Sequence, residues 1–265
     1  MFNNKSFVAI AIVCFAVIAF SGSIDADDTL PPMLQEIGID QRLNQQIPSE
    51  LEFRDESGSN VTLKKYFNGR KPLVLTLVYY ECPMLCTEVL NGLLKTLNVM
   101  NLEVGSDFDV LTASFDPGET PQLAAGKKAA YVKAYKRKGA EQGWHFLTGN
   151  QPSIERLTKS AGFRYTYDPK SDLFAHGAAI MVLTPQGKIS HYFYGVEFSA
   201  RDLRLALVEA SKGKIGTVTD QILLFCFHYD PSTGKYSAYA LNFVRLGGII
   251  TIICLGIFII RNRRK

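Results

Sequence analysis

The sequence predicts an α/β domain, a central mixed sheet flanked by helices, with a hydrophobic helix beyond it at the C-terminal end. Three observations carry this. Strand-type and helix-type hydrophobic periods alternate from about residue 43 to residue 213. Within that stretch "PLVLTLVYY" and "FDVLTASF" are continuously apolar, as strands covered on both faces are. Further on, "LGGIITIICLGIFII" (Leu246 to Ile260) is uncharged and runs straight into "RNRRK".

The elements follow in order. "LEFRDESGSNVTL" alternates around a Ser-Gly-Ser-Asn turn and predicts a hairpin. "PLVLTLVYY" predicts a central strand, and the next segment carries Val89, Leu90, Leu93, Leu94, Leu97 and Met100 at helical spacing. "FDVLTASF" is the second buried strand, closed by the turn "DPGETP". There Thr120 caps a helix whose first position is Pro121; it runs to about Lys138 with its lysines outward. "HFLTG" and "SIERLTKSAG" read as a strand and a short helix. "AAIMVLTPQGKISHYFYG" is a hairpin turning at Pro185 to Gly187, and "SARDLRLALVEASKG" is an amphipathic helix capped by Ser199 and stopped by Gly213. Such alternation requires a sheet with helices on its faces.

Both ends of the chain point to export. Phe7 to Phe20 is a short apolar run behind Lys5, followed by Ser21, Gly22 and Ser23, the layout of a signal peptide over 1–23, either cleaved or kept as an anchor. A polar, proline-bearing linker (24–42) leads into the domain (43–213), and a connector (214–240) leads out of it. Residues 241–260 read as a transmembrane helix: the uncharged run is extended by Phe243, Val244 and a snorkelling Arg245 toward the roughly 20 residues a bilayer needs. The cations Arg261, Arg263, Arg264 and Lys265 place that tail in the cytoplasm and the domain on the other side. For a bacterial chain this means the inner membrane, with the domain in the periplasm. The formal charge of +4 equals the charge of that tail, so the rest of the chain has no basic excess and no nucleic-acid footprint.

Of five cysteines, Cys14 lies in the signal and Cys254 in the span. Three remain, an odd number that argues against a plain disulfide scaffold. Cys82 and Cys86 stand four apart in "YYECPMLCTEVLNG", where a strand gives way to a helix. Residues so spaced on a helix share a face, and a helix N-terminus lowers a thiol pKa below about 8.5. Thiolate is both the nucleophile of disulfide exchange and a soft metal ligand, so the pair reads as a redox couple, a metal pair, or a small disulfide staple. A staple closing so short a loop would stabilise little.

A metal would need another ligand, and the four histidines are the candidates. His176, in "DLFAHGAAIMVL", precedes a buried strand and is followed by small residues, which makes it a candidate to face the cysteines. His145 in "GWHFLTG" and His191 in "KISHYFYG" read as strand residues with packing or surface roles. Cys226 and His228, in "LFCFHYDP", alternate and form a possible second pair or partner-facing patch.

"CPMLC", "SFDPGETP", "FLTG" and "HGAAIMVLTPQGKI", spread over about Leu51 to Leu207, resemble the Sco/SenC family of membrane-tethered, thioredoxin-like copper proteins. The resemblance implies a thioredoxin-like fold and a copper site formed by Cys82, Cys86 and His176. It also implies delivery of copper to the dinuclear copper centre of respiratory cytochrome c oxidase, with the copper-accepting subunit of that enzyme as partner and thiol reductant proteins as further partners. Three positions depart from the commonest family pattern: Met84 where an acid is frequent, Thr87 where proline is frequent, and Ala175 where aspartate is frequent. The alternative from another class is a membrane-anchored thiol-disulfide oxidoreductase in which Cys82 attacks and Cys86 resolves. Thioredoxin-like oxidoreductases usually carry proline just before the late strand, and "FAHGAAIMVL" offers His176 there instead. A peroxide-reducing relative would need a threonine and an arginine poised on one cysteine, which "CPMLC" does not present.

Overall fold

In the computed structural model of the chain, residues 36–215 are described, together with the short strands Tyr229–Asp230 and Lys235–Tyr236 and positions 247, 248 and 251. The expected signal peptide, most of the expected linker, connector and span, the basic tail, Cys226 and His228 lie outside the described residues. Among the described residues, no helix is long and apolar enough to cross a membrane.

The domain is built on a seven-stranded mixed sheet. Its strands are β2 (Glu52–Arg54), β3 (Asn60–Thr62), β4 (Leu73–Val78), β5 (Asp109–Ser114), β6 (Trp144–Gly149), β9 (Ala179–Leu183) and β10 (Ile189–Tyr194), in the order β10-β9-β4-β5-β6-β2-β3. A smaller sheet sets β1 (Gly38–Ile39), β7 (Phe163–Asp168) and β8 (Leu173–His176) side by side. The helices are α1 (Leu85–Val99), α2 (Pro121–Tyr135), the single turn α3 (Ala140–Gly143), α4 (Gln151–Ser160) and α5 (Ala200–Ser211). The two outlying strands, β11 (Tyr229–Asp230) and β12 (Lys235–Tyr236), pair with each other.

The sequence accounts for the centre directly. Every residue of β4 and of β5 is buried, and the two run parallel in register from Leu73↔Asp109 to Val78↔Ser114. Parallel strands need a crossover, which α1 supplies, and α2 does the same between β5 and its parallel neighbour β6. Thr76 and Thr112, buried on facing strands, satisfy their hydroxyls on each other at 2.9 Å. Thr112 Oγ1 also accepts the Trp144 indole N–H at 3.0 Å. The expected caps are in place: Thr120 accepts the Leu123 N–H and Ser199 accepts the Asp202 N–H. Gly92 lets α1 press against the chain after β10, since a Cβ there would meet Val196 O at 1.7 Å.

Three features differ from the sequence reading. The hairpin β7–β8 was not anticipated, and β1, inside the segment read as linker, pairs with its first strand. The helix after β4 begins only at Leu85, so Cys82 lies in the turn before it. Not all lysines of α2 point outward. Lys128 is buried because Glu56, on the β2–β3 turn, reaches it with Nζ–Oε1 at 2.5 Å and uses its other oxygen to accept the Phe146 N–H.

That ion pair carries a pH dependence. Burial alone would raise the Glu56 pKa, but the Lys128 hydrogen bond and charge and the backbone donors outweigh it and hold the carboxyl below its ordinary value. A depressed folded pKa contributes stability that is present above the unfolded value, about 4.3, and lost as pH falls through the folded value. Thermal melts from pH 6 down to pH 3 are expected to show a steeper fall in Tm for the parent chain than for Glu56→Gln.

Candidate metal centre

The strand order explains how residues ninety positions apart meet. Because β9 runs antiparallel to β4, with Thr76 opposite Ile180, the end of β4 lies beside the start of β9. The turn leaving β4 carries Cys82 and Cys86, and the chain entering β9 carries His176, the last residue of β8. Parallel β5 ends at the same place and adds Phe115 and the "DPGETP" turn. Ligand sites in open α/β sheets form at such carboxyl ends.

The three side chains converge: Cys82 Sγ, Cys86 Sγ and a His176 ring nitrogen all lie within 4.8 Å of one another. Among the described residues no other three His, Cys, Asp or Glu side chains do so. His176 Nε2 lies 3.2 Å from Cys86 Sγ, while Nδ1 lies 2.8 Å from Gly177 O. A carbonyl oxygen only accepts, so the proton sits on Nδ1 and the Nε2 lone pair faces the sulfur. Desolvation, partly offset by that carbonyl, lowers the His176 pKa and keeps the ring neutral. The backbone of Gly177 thus orients the imidazole, a task that carboxylates often perform beside metal-ligating histidines and that Ala175 cannot. The ring is also fixed by aromatic neighbours, Phe115 at 5.2 Å, Phe163 at 6.0 Å and Tyr79 at 6.1 Å between centroids.

The two thiols are not equivalent. Partial burial pushes Cys82 up, but hydrogen bonds from the N–H groups of Cys86 and Met84 and from the Tyr79 hydroxyl outweigh it, leaving its pKa below the ordinary thiol value. Cys86, 1% exposed against 8% for Cys82, is pushed well above that value, by burial first and then by the Cys82 charge; the Tyr79 N–H at 3.3 Å offsets only part. Both cysteines are free. The arrangement offers one thiol that ionises more readily than usual, one that ionises when a positive charge arrives, and one neutral imidazole, a soft donor set.

His145 and His191 do not join this group. His145 packs its ring 4.8 Å from Tyr66 and lies 4.0 Å from Glu56, and His191 Nε2 lies 3.3 Å from Glu209. Sequence reasoning missed Tyr79, Phe115 and Glu119, the residues that shape the site from the chain just past β4 and β5. Only the aromatic character of "VYYEC" and "SFDPGE" hinted at the first two.

Fold and site together define a thioredoxin-like α/β domain bearing a dithiol–imidazole centre at the sheet's carboxyl edge. The chain belongs to the SCO1/SenC family, whose profile matches residues 39–209. Among solved structures, a candidate electron transfer protein from Aquifex aeolicus VF5 is 25% identical with a TM-score of 0.57, over 65% of this chain and 96% of that one. A SCO1/SenC family lipoprotein from Bacillus anthracis str. Ames is 16% identical, with a TM-score of 0.51 over 66% of this chain and 99% of that one. Arabidopsis thaliana ScoI, crystallised with copper bound, is 20% identical, with a TM-score of 0.50 over 63% and 99%. The last two likenesses concern the fold alone. No curated protein matches the chain.

Proposed function

We propose that this chain is a copper-binding metallochaperone that takes Cu(I) on Cys82, Cys86 and His176 and passes it to the copper-accepting subunit of a respiratory cytochrome c oxidase during assembly of the dinuclear copper centre. The observation that carries the reading is the convergence of two sulfurs and one imidazole nitrogen within 4.8 Å, at the edge of a SCO1/SenC domain. Copper held by ScoI of Arabidopsis thaliana agrees with it. Two thiolates and one imidazole suit cuprous ion and leave a side open to a recipient's ligands. Binding neutralises the Cys86 thiolate that burial otherwise disfavours, so uptake releases protons. The reading places the domain in the periplasm, delivered by the signal peptide over 1–23 and held at the inner membrane by the helix over 241–260, with thiol reductant proteins keeping the pair reduced.

The test is a competitive Cu(I) titration of the reduced protein under anaerobic conditions. One equivalent is expected to bind, and His176→Ala is expected to weaken retention by about tenfold or more. A variant holding copper as tightly as the parent contradicts the three-ligand site.

One observation favours a second reading. A thiol of lowered pKa paired with a buried one of raised pKa is also the asymmetry of an attacking and a resolving cysteine in a thiol-disulfide oxidoreductase. Metal-free turnover of a disulfide substrate that His176→Ala leaves unchanged would select it.

A further inference from the structure

We propose that Glu119 is the positioning residue of the dithiol turn, a buried carboxylate that clamps the backbone ahead of Cys82 to the end of β5 and so holds the first sulfur in reach of the second. The proposal rests on Cys82 and Cys86 being the working thiols, and it concerns how they are held.

The turn from Tyr79 to Met84 has few restraints of its own. Met84, the residue preceding α1, makes no side-chain cap, and Pro83 has no N–H to give. The Cys82 N–H reaches Tyr79 O at 3.4 Å, and Thr87 Oγ1 reaches Cys82 O at 3.4 Å, both long and both local. The Tyr80 hydroxyl anchors the start of the turn to Leu147 O and Thr112 O. Past Tyr80, the restraint from another element is the Glu81 N–H, which donates to Glu119 Oε1 at 2.8 Å.

The other end of the clamp is equally fixed. Ser114 Oγ donates to Glu119 Oε2 at 2.5 Å and itself accepts the Asp116 N–H at 3.1 Å. Glu119 is 7% exposed. Among the described residues it forms no ion pair, and a buried carboxylate without a cation is unfavourable unless its lone pairs are taken up. Burial pushes the Glu119 pKa up, offset only in part by the hydrogen bonds from Ser114 and from the N–H groups of Tyr80 and Glu81, and the residue stands just before the N-terminus of α2. That place does not require the side chain to turn back toward β4, and the bond to Glu81 is what the turn accomplishes. It ties the turn to another element, whereas the bonds to Cys82 itself, such as the Cys86 N–H to Cys82 Sγ at 3.4 Å, stay within the turn and the start of α1.

The test compares Glu119→Ala, Glu119→Gln and Ser114→Ala with the parent chain in two assays. One is Cu(I) affinity. The other, metal-free, is the equilibrium with oxidised dithiothreitol, in which the two thiols give two electrons and two protons to the reagent disulfide as the Cys82–Cys86 bond forms. Glu119→Ala is expected to raise the Cu(I) dissociation constant by about tenfold, as loss of a supporting residue typically does, and to shift the exchange equilibrium toward dithiol. Glu119→Gln keeps the acceptor for Glu81 and can donate to Ser114 Oγ, so it is expected to restore both readouts. Ser114→Ala is expected to move both in the direction of Glu119→Ala by a smaller factor, and it carries the test if Glu119→Ala does not fold. Unchanged affinity and exchange in Glu119→Ala, or in Ser114→Ala where the former is unfolded, overturns the clamp, and so does a Gln variant as impaired as Ala. A parent chain that binds no copper contradicts the proposed function instead, and the exchange assay still decides the clamp.

Discussion

Cys86→Ser is expected to lower Cu(I) affinity by at least about a hundredfold, at or beyond the upper end of what loss of a mere supporting residue costs. Cys86 is the innermost donor: it is almost fully buried, it takes the Tyr79 N–H, and it faces His176 Nε2 at 3.2 Å. A serine hydroxyl keeps the Tyr79 hydrogen bond and nearly the same volume, so the thermal midpoint should move little. It cannot replace the soft charged sulfur, because an alkoxide is far harder to form than a thiolate. Competition against a chelator of known Cu(I) affinity, read beside a thermal melt, separates loss of the donor from loss of the fold. A serine variant with parental affinity would mean that copper is held elsewhere.

Phe115→Ala is expected to destabilise the domain by about 3–5 kcal/mol, the range for removing a fully buried aromatic ring. Phe115 is 1% exposed and stands at the crossing of both sheets. Its ring lies 4.7 Å from Tyr165, 5.3 Å from Phe163, 5.5 Å from Tyr79, 5.7 Å from Phe174 and 5.2 Å from His176. The cavity left behind opens directly under the imidazole, so this variant should also weaken copper retention, unlike an equally costly truncation such as Trp144→Ala near the other end of the sheet. Urea unfolding of both variants, with copper competition alongside, checks the magnitude and the contrast. A Phe115→Ala loss below about 1 kcal/mol would mean that the cluster does not pack as described.

What was legible in the sequence was local. Continuous apolar runs gave β4 and β5, Thr120 with Pro121 gave the start of α2, and Ser199 gave the start of α5, because each depends on neighbours within a few residues. The cysteine pair at a strand-to-helix junction was legible for the same reason, and His176 was a candidate from its place before a buried strand, which the resemblance strengthened. What was not legible depends on long-range pairing. Lys128 is buried only because Glu56 lies 72 positions away in sequence and beside it in space. Glu119 looked like a turn residue because its partner Glu81 is 38 positions distant. The β7–β8 hairpin shows the alternation Phe163, Tyr165, Tyr167 and a turn around Pro169, yet its strands pair in a sheet of their own, and no neighbouring segment announces that. Cys82 falls before the helix rather than on it: it precedes Pro83, which disfavours helical backbone at that position, and the first helical turn begins at Leu85.

The central claim is that two sulfurs and one imidazole nitrogen hold a single cuprous ion. X-ray absorption at the copper edge, on the reduced protein loaded with one equivalent of Cu(I), tests it most directly. The account predicts two sulfur scatterers and one imidazole scatterer, with the imidazole signal lost in His176→Ala and one sulfur lost in Cys86→Ser. A copper environment of sulfur alone in the parent chain, unchanged by His176→Ala, would contradict it.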